Sequence, residues 1–209
     1  GGAIVHLFDS VARHPDIRYI CTQHEEALAM AVDGYARISG DIAAGMVTSG
    51  PGGTNLLTGV CCSFFDSIPA IFISGQVATS RLKRSPAIRQ VGFQETDIVS
   101  IFQSVTKYCV LVRDPQEIRY HLEKAVFLAR TGRPGPVLID LPDDLQRAEI
   151  NPERLKQFEP SGDINDDFDL DEKVLSCIEL IKKAQRPVMI FGAGISIAKA
   201  RENIKPLVE

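Results

Sequence analysis

Apolar residues follow two different spacings along residues 1–147 of this chain. Short apolar runs rich in β-branched residues predict buried strands, whereas apolar residues that recur every three or four positions predict amphipathic helices. The runs predict strands at residues 17–21, 42–47, 70–74, 106–112 and 136–141. The helical spacing predicts helices at residues 4–12, 25–38, 54–65, 95–102 and 115–129. This alternation indicates an α/β fold, in which helices wrap a mostly parallel sheet.

The pattern changes after residue 142. Residues 151–170 contain two prolines, one glycine and four aspartates, which is typical of a linker on the surface. A helix is predicted to start near residue 171, followed by a strand at residues 187–191 and a glycine turn at 192–194. We therefore expect a first domain at residues 1–147, a linker at 148–170 and the truncated start of a second α/β domain at 171–209. Because the chain starts without methionine, we also expect it to be a fragment.

Composition narrows the class of protein. The net charge is −4 and no basic stripe occurs, so we do not expect a nucleic-acid partner. No apolar run approaches the length of a membrane span, so we expect no membrane partner. The five cysteines include no Cys-x-x-Cys pair, which favours buried free thiols in a reducing cytoplasm. A catalytic role for Cys61 or Cys62 is a weak alternative, because no histidine is near either residue in the sequence.

Two junctions between a predicted strand and a predicted helix carry the candidate chemistry. Glu25 and Glu26 open the helix that follows residues 17–21, and Gly50 to Asn55 form a glycine-rich turn after residues 42–47. The carboxyl ends of parallel strands share one edge of a sheet, where α/β folds bind small molecules. The turn would bring bare backbone close to a phosphate or a flat heterocycle. Either glutamate could instead only stabilise the helix dipole. Charge alone does not indicate which of the two faces the cleft.

Two further segments give weaker signals. Gly192 and Gly194 resemble the start of a dinucleotide fingerprint of a Rossmann-like domain, although a simple strand-to-helix turn is the favoured explanation. Arg81, Lys83, Arg84 and Arg89 indicate a solvated basic loop, with recognition of an anionic substrate as the minority alternative.

Eight short segments resemble, in the same order, the N-terminal pyrimidine-binding domain of thiamine diphosphate enzymes, in particular the acetolactate synthase-like group. These segments are Gly1-Gly2-Ala3, His24-Glu25, Gly34-Tyr35-Ala36-Arg37, Thr48-Ser49-Gly50-Pro51-Gly52-Gly53-Thr54-Asn55, Asp66-Ser67-Ile68-Pro69, Ser74-Gly75-Gln76-Val77, Phe93-Gln94-Glu95-Thr96 and Gly132-Arg133-Pro134-Gly135-Pro136-Val137. The resemblance implies a three-layer α/β/α domain with a mostly parallel sheet. It also implies that the segment from residue 171 is the start of the central domain.

The resemblance also implies roles for six residues. Glu25 matches the glutamate that bonds N1′ of the aminopyrimidine and activates the cofactor, and this favours Glu25 over Glu26. Gln94 matches a residue close to cofactor and substrate, so Glu25 and Gln94 are the predicted catalytic residues. Thr48, Pro51 and Asn55 would line the pyrimidine side of the cleft. Arg133 matches an arginine that contacts FAD in flavin-containing members. No metal ligand is predicted here, since the domain that holds the diphosphate and Mg²⁺ is absent from this chain.

By this resemblance, the chain is part of a thiamine diphosphate-dependent decarboxylase or carboligase that acts on a 2-oxo acid such as pyruvate. A homodimer or homotetramer is expected, because the active site in this family lies between subunits, and the fragment alone should be inactive. The loop between Val77 and Phe93 is longer and more basic than is typical, and Glu26 replaces a common glutamine. These departures leave donor and acceptor open. The alternative function is a non-catalytic binding or assembly module.

Overall fold

A computed structural model describes residues 1–160 and 169–208. The chain divides into two units, residues 1–161 and 162–209. The first unit contains the whole candidate site and is described first. Residues 161–168 of the predicted linker lie outside the described residues, and the predicted domain boundaries stay predictions.

A four-stranded parallel sheet forms the centre of the first unit. Its strands are β1 (Ala43–Val47), β2 (Ala70–Gln76), β3 (Tyr108–Leu111) and β4 (Pro136–Pro142), and their order across the sheet is β1-β2-β4-β3. All three pairings are parallel. Buried parallel strands need apolar residues on both faces, and β2 and β4 satisfy this requirement because nearly every residue in them is buried. The predicted parallel α/β fold is confirmed.

Six helices connect or precede these strands in the described part of the first unit. They are α1 (Val5–Arg13), α2 (Glu25–Ser39), α3 (Pro51–Thr54), α4 (Leu57–Phe65), α5 (Ile98–Phe102) and α6 (Ile118–Arg130). Helix α2 begins after His24, whose side chain caps its N-terminus, and ends at Gly40 in the left-handed conformation with φ of 69°. The single helix predicted at residues 54–65 is two helices, because the turn closes as a short helix with Pro51 at its first position.

The side chains of the sheet alternate between two apolar clusters. Phe72 and Leu138 pack with α2, α4 and α5 on one face, and Ile71 and Val137 pack with α6 on the other. Each of these two pairs is in register across β2 and β4, so the two-residue period of a strand accounts for the division. Helices on both faces of a parallel sheet give three layers, as predicted.

Two predicted strands do not form. Residues 17–21 and residues 187–191 carry the expected apolar pattern but join no ladder. Ile20 and Ile190 are about nine-tenths exposed, so these segments bury nothing that would hold them. A strand needs a hydrogen-bonded neighbour, which local sequence alone does not provide.

The prediction of buried cysteines is also wrong. Cys21 and Cys177 are exposed, while Cys61, Cys62 and Cys109 are partly buried and also free. Cys21 is the last residue of the segment that was expected to be a strand, and without a ladder it stays exposed. Burial raises the pKa of the Cys61 thiol, which opposes the thiolate that a nucleophile needs.

Part of the predicted linker packs as ordered chain of the first unit. Leu155 is buried, and the Phe158 ring lies 5.6 Å from the ring of Tyr120 in α6. The backbone N–H of Phe158 also donates to the carboxylate of Glu123, at 2.8 Å. Residues 150–158 therefore cover one side of α6.

The described residues of the second unit form helices α7 (Leu170–Lys183), α8 (Gly194–Ile197) and α9 (Ile204–Val208). Helix α7 matches the helix predicted from residue 171. Asp171 and Glu172 lie in its first turn and Lys182 and Lys183 in its last, an arrangement that complements the helix dipole.

Candidate functional site

Glu25 and Asn55 meet at the carboxyl edge of the sheet. Glu25 is the first residue of α2, and Asn55 follows the turn after β1. The side-chain amide of Asn55 donates to Oε2 of Glu25 at 3.0 Å. The other carboxylate oxygen, Oε1, accepts no hydrogen bond from the described residues. The two junctions identified in the sequence therefore come together, with one oxygen of Glu25 held and the other available to a ligand.

Glu26 has a different environment. Its side chain is exposed, whereas that of Glu25 is partly buried. The backbone N–H of Glu26 donates to Nδ1 of His24 at 3.1 Å, which closes the N-terminal cap of α2. Because the cap fixes the first turn, Glu25 is held with its carboxylate toward the turn after β1. The structure thus places Glu25, and not Glu26, among the other candidate residues.

The turn after β1 needs glycine at two positions for different reasons. Gly50 has φ of 62° and ψ of −123°, a region that residues with a side chain avoid. A Cβ on Gly52 would lie 2.7 Å from Cγ2 of Thr48 and 3.7 Å from Oε1 of Glu25. The missing Cβ therefore keeps open the space beside the unpaired oxygen of Glu25, so the residues present fit a flat heterocycle that would approach there.

Thr48 and Pro51 frame the same turn. Thr48 is partly buried, with its side chain close to both Gly52 and Gly1. Pro51 is exposed and starts the short helix α3. The structure thus brings Thr48, Pro51 and Asn55 into one cluster with Glu25.

Gln94 packs directly on this turn. A Cβ on Gly50 would lie 2.8 Å from Cβ of Gln94 and 3.0 Å from its carbonyl oxygen. Gln94 itself has φ of 59°, which is uncommon for a residue with a side chain and is held only when its surroundings enforce it. The two left-handed residues therefore lie against each other, and Gln94 borders the same site as Glu25.

A buried polar network lies below Gln94 and was missed by the sequence reasoning. Ser74 and Gln76 on β2 donate to the two carboxylate oxygens of Asp140 on β4, at 2.7 and 2.9 Å. The Gln76 amide also donates to the carbonyl oxygen of Thr96 at 2.8 Å. Burial raises the pKa of Asp140 to about 7, although both donors oppose this change. An acid inside the apolar run of residues 136–141 was the available signal.

The carboxylate of Glu95 organises the basic loop, which we define as residues 78–92. Its two oxygens accept hydrogen bonds from the backbone N–H groups of Lys83 and Val91, both at 2.7 Å. Arg81, Arg84 and Arg89 are exposed. Glu95 is buried, so it ties residues 83 and 91 of this loop next to Gln94.

Arg133 lies away from the cluster. Its guanidinium donates to Oγ of Ser67 at 2.7 Å and to the carbonyl oxygen of Phe65 at 3.3 Å. Both partners precede β2, and Arg133 precedes β4, so this contact is at the amino edge of the sheet. A seven-residue strand such as β2 separates the two edges by about 20 Å. Arg133 therefore does not join the site around Glu25, and its predicted contact with FAD stays a prediction.

The described residues contain no cluster of three or more His, Cys, Asp or Glu side chains able to hold a metal ion. No helix among them is both long and apolar enough to cross a membrane.

The chain is similar in sequence to known proteins. Residues 1–101 match the family described as thiamine pyrophosphate enzyme, N-terminal TPP binding domain. The whole chain is 37% identical to the acetolactate synthase large subunit of Parasynechococcus marenigrum, of which it covers 34%. It is 36% identical over its whole length to the probable acetolactate synthase large subunit of Methanocaldococcus jannaschii, covering 35% of that protein.

A eukaryotic protein matches as well. Over 93% of the chain, the identity to the mitochondrial acetolactate synthase catalytic subunit of Saccharomyces cerevisiae is 37%, and this region is 28% of the yeast protein. The chain thus spans about a third of the length of these relatives. The chain is therefore acetolactate synthase-like in sequence, and its residues 1–101 match the N-terminal TPP-binding domain of thiamine pyrophosphate enzymes.

Proposed function

We propose that this chain is part of a thiamine diphosphate-dependent decarboxylase or carboligase that acts on a 2-oxo acid such as pyruvate. One observation carries the proposal. The carboxylate of Glu25 is partly buried, oriented by Asn55 through Oε2, and open at Oε1 beside Gly52. The similarity to acetolactate synthase subunits supports the choice of reaction.

Glu25 would accept a hydrogen bond from N1′ of the cofactor's aminopyrimidine and hold the proton there. Bound thiamine diphosphate would supply the carbon nucleophile and the electron sink for loss of CO₂. Asn55 would fix the carboxylate, since its amide already donates to the opposite oxygen. Thr48 and Pro51 would shape the pyrimidine side of the cleft, and Gln94 would face the region where cofactor and substrate meet. The glycine turn would let the heterocycle approach the backbone.

The remaining parts of the proposal concern what this chain does not itself hold. Mg²⁺ and the diphosphate would be bound outside this chain, so these 209 residues alone should release no CO₂. We propose a homodimer or homotetramer formed through the first unit and located in the cytoplasm. Tyr35 and Ile38 support an interface, because they are three positions apart on α2 and 60% and 91% exposed. Whether FAD binds near Arg133 is a separate question, to be answered by the flavin content of the purified protein.

The test compares two neighbouring glutamates in the complete polypeptide that contains these residues. CO₂ release would be followed with thiamine diphosphate and Mg²⁺ over a panel of 2-oxo acids, beginning with pyruvate. Glu25→Gln should lower turnover at least a thousandfold, because a neutral amide cannot hold the N1′ proton as a carboxylate does. Glu26→Gln, the matched control, should stay within about twofold, since that side chain is exposed.

The outcomes separate the two candidate functions. Turnover on one of the 2-oxo acids that collapses only in Glu25→Gln would support the enzyme and identify its donor. Binding of thiamine diphosphate without turnover on any 2-oxo acid would instead favour the non-catalytic module. CO₂ release by the 209-residue chain alone would contradict the proposed division of the active site.

A further inference from the structure

We propose that Asp140 and Gln76 are positioning residues that hold Gln94 in the candidate site through the backbone of Thr96. This inference rests on the proposed function, in which Gln94 borders the cofactor. Neither side chain reaches the cluster around Glu25 itself. Their effect would pass through the segment of residues 94–96, which connects the basic loop to α5.

One face of the sheet carries polar side chains at its carboxyl end. Phe72, Ser74 and Gln76 lie on the same face of β2, because side chains alternate along a strand. Asp140 is the register partner of Ser74 on β4 and is 1% exposed. This face is therefore apolar in its middle and becomes polar toward the carboxyl edge, where the candidate site lies. A buried acid at this place is costly unless its hydrogen bonds are satisfied.

The Gln76 side chain is 2% exposed, and both its nitrogen and its oxygen are hydrogen-bonded. Its Nε2 donates both to Asp140 at 2.9 Å and to the carbonyl oxygen of Thr96 at 2.8 Å. Its Oε1 accepts from the backbone N–H of Val77 at 3.0 Å. Both amide hydrogens of Gln76 are thus engaged, and Asp140 fixes the orientation of the amide that holds Thr96.

Gln94, two positions before Thr96, has a strained backbone. Gln94 keeps a left-handed backbone against Gly50, and such a conformation persists only where flanking contacts enforce it. One flank is Glu95, whose buried carboxylate binds the backbone at residues 83 and 91. The other flank is Thr96, held by Gln76. Loss of the Gln76 contact would therefore let residues 94–96 relax away from the turn.

Four variants separate hydrogen bonding from packing. Asp140→Asn keeps the shape and can still accept from Gln76 while donating to Ser74, so it should preserve the position of Gln94. Asp140→Leu and Gln76→Met remove the contacts at similar volume. Ser63→Ala is the matched control, because Ser63 is fully buried and donates to Asp33 at 2.9 Å in a network between α2 and α4.

Hydrogen exchange of backbone amides measures how easily residues 94–96 open, and it needs no cofactor. The amides of Glu95 and Ile98 donate to the carbonyl oxygens of Gly92 and Thr96, and both should exchange about tenfold faster in Asp140→Leu and Gln76→Met. Asp140→Asn and Ser63→Ala should leave them within about twofold of the wild type. Unchanged exchange at both amides in Asp140→Leu would overturn the inference.

A double-mutant cycle in the complete polypeptide tests whether the effect passes through Gln94. Asp140→Leu should lower kcat by about tenfold when Gln94 is present and by less than about twofold in a Gln94→Ala background. Equal losses in both backgrounds would show that Asp140 acts through general stability and would overturn the inference. Failure of the proposed function is a different result, because Glu25→Gln would then keep its activity while the exchange rates still decide the positioning role.

Discussion

Replacing Asp140 with Asn should change how stability depends on pH. The carboxyl is buried between Ser74 and Gln76, and burial raises its pKa from 3.8 to about 7 in the folded protein. Asp97, at the N-cap of α5, acts in the same direction. The Cys109 thiol on β3 has a pKa of about 12 and stays neutral throughout this range. Asn resembles the protonated acid in shape and cannot titrate.

The size of the effect follows from linkage. Each pKa unit corresponds to about 1.4 kcal/mol, so a rise from 3.8 to about 7 corresponds to about 4 kcal/mol. Because the pKa is raised in the folded state, this contribution is fully present below pH 3.8 and is lost as the pH rises through about 7. The free energy of unfolding of the wild type, relative to Asp140→Asn, should therefore fall by about 4 kcal/mol between pH 4 and pH 8.

The assay is urea unfolding of the 209-residue chain followed by circular dichroism at several values of pH, for the wild type and Asp140→Asn. Groups other than Asp140 titrate in both proteins, so the difference between the two isolates this one carboxyl. A difference that stays constant from pH 4 to pH 8 would refute the reasoning. A difference that grows with pH would show that the two donors outweigh burial. In Ser74→Ala, which lacks one donor to the carboxylate, the folded-state pKa should rise further, so the loss of stability should extend to higher pH.

Three further substitutions test other contacts. Gly52→Ala should destabilise the chain by about 1–3 kcal/mol in urea unfolding, because its Cβ would lie 2.7 Å from Thr48; an unchanged midpoint would contradict the tight turn. Asn55→Leu should lower turnover of the complete polypeptide at least tenfold by releasing Glu25, whereas normal turnover would show that this hydrogen bond is dispensable. Arg133→Met should cost about 1 kcal/mol of stability without changing turnover, and a changed turnover would connect the amino edge to the site.

The elements that sequence predicted well are those whose evidence is local. The strands at residues 42–47 and 136–141 were predicted because each is a short apolar run between turn residues. The segment at residues 17–21 has a similar run and forms no strand, since pairing depends on a neighbour that the run does not specify. The order β1-β2-β4-β3 is likewise a property of the whole fold and could not be taken from periodicity.

Some features of the candidate site were likewise predictable from sequence and others were not. The meeting of Glu25 with the glycine turn was expected, and the hydrogen bond to Asn55 agrees with that expectation, although residues 17–21 before Glu25 form no strand. The amino-edge position of Arg133 follows from its place just before the strand predicted at residues 136–141, whereas its hydrogen bond to Ser67 depends on the neighbouring chain and could not be predicted. The network of Ser74, Gln76 and Asp140 was missed, although a carboxyl within an apolar strand indicates a buried partner.

The central claim is that Glu25 activates thiamine diphosphate, and proton exchange at C2 of the bound cofactor tests it most directly. The complete polypeptide would be loaded with thiamine diphosphate and Mg²⁺ and mixed with D₂O, and loss of the C2 proton would be followed by NMR after quenching in acid. We predict rapid exchange in the wild type and in Glu26→Gln, and exchange slowed at least a hundredfold in Glu25→Gln. Equal exchange rates in Glu25→Gln and the wild type would contradict the account.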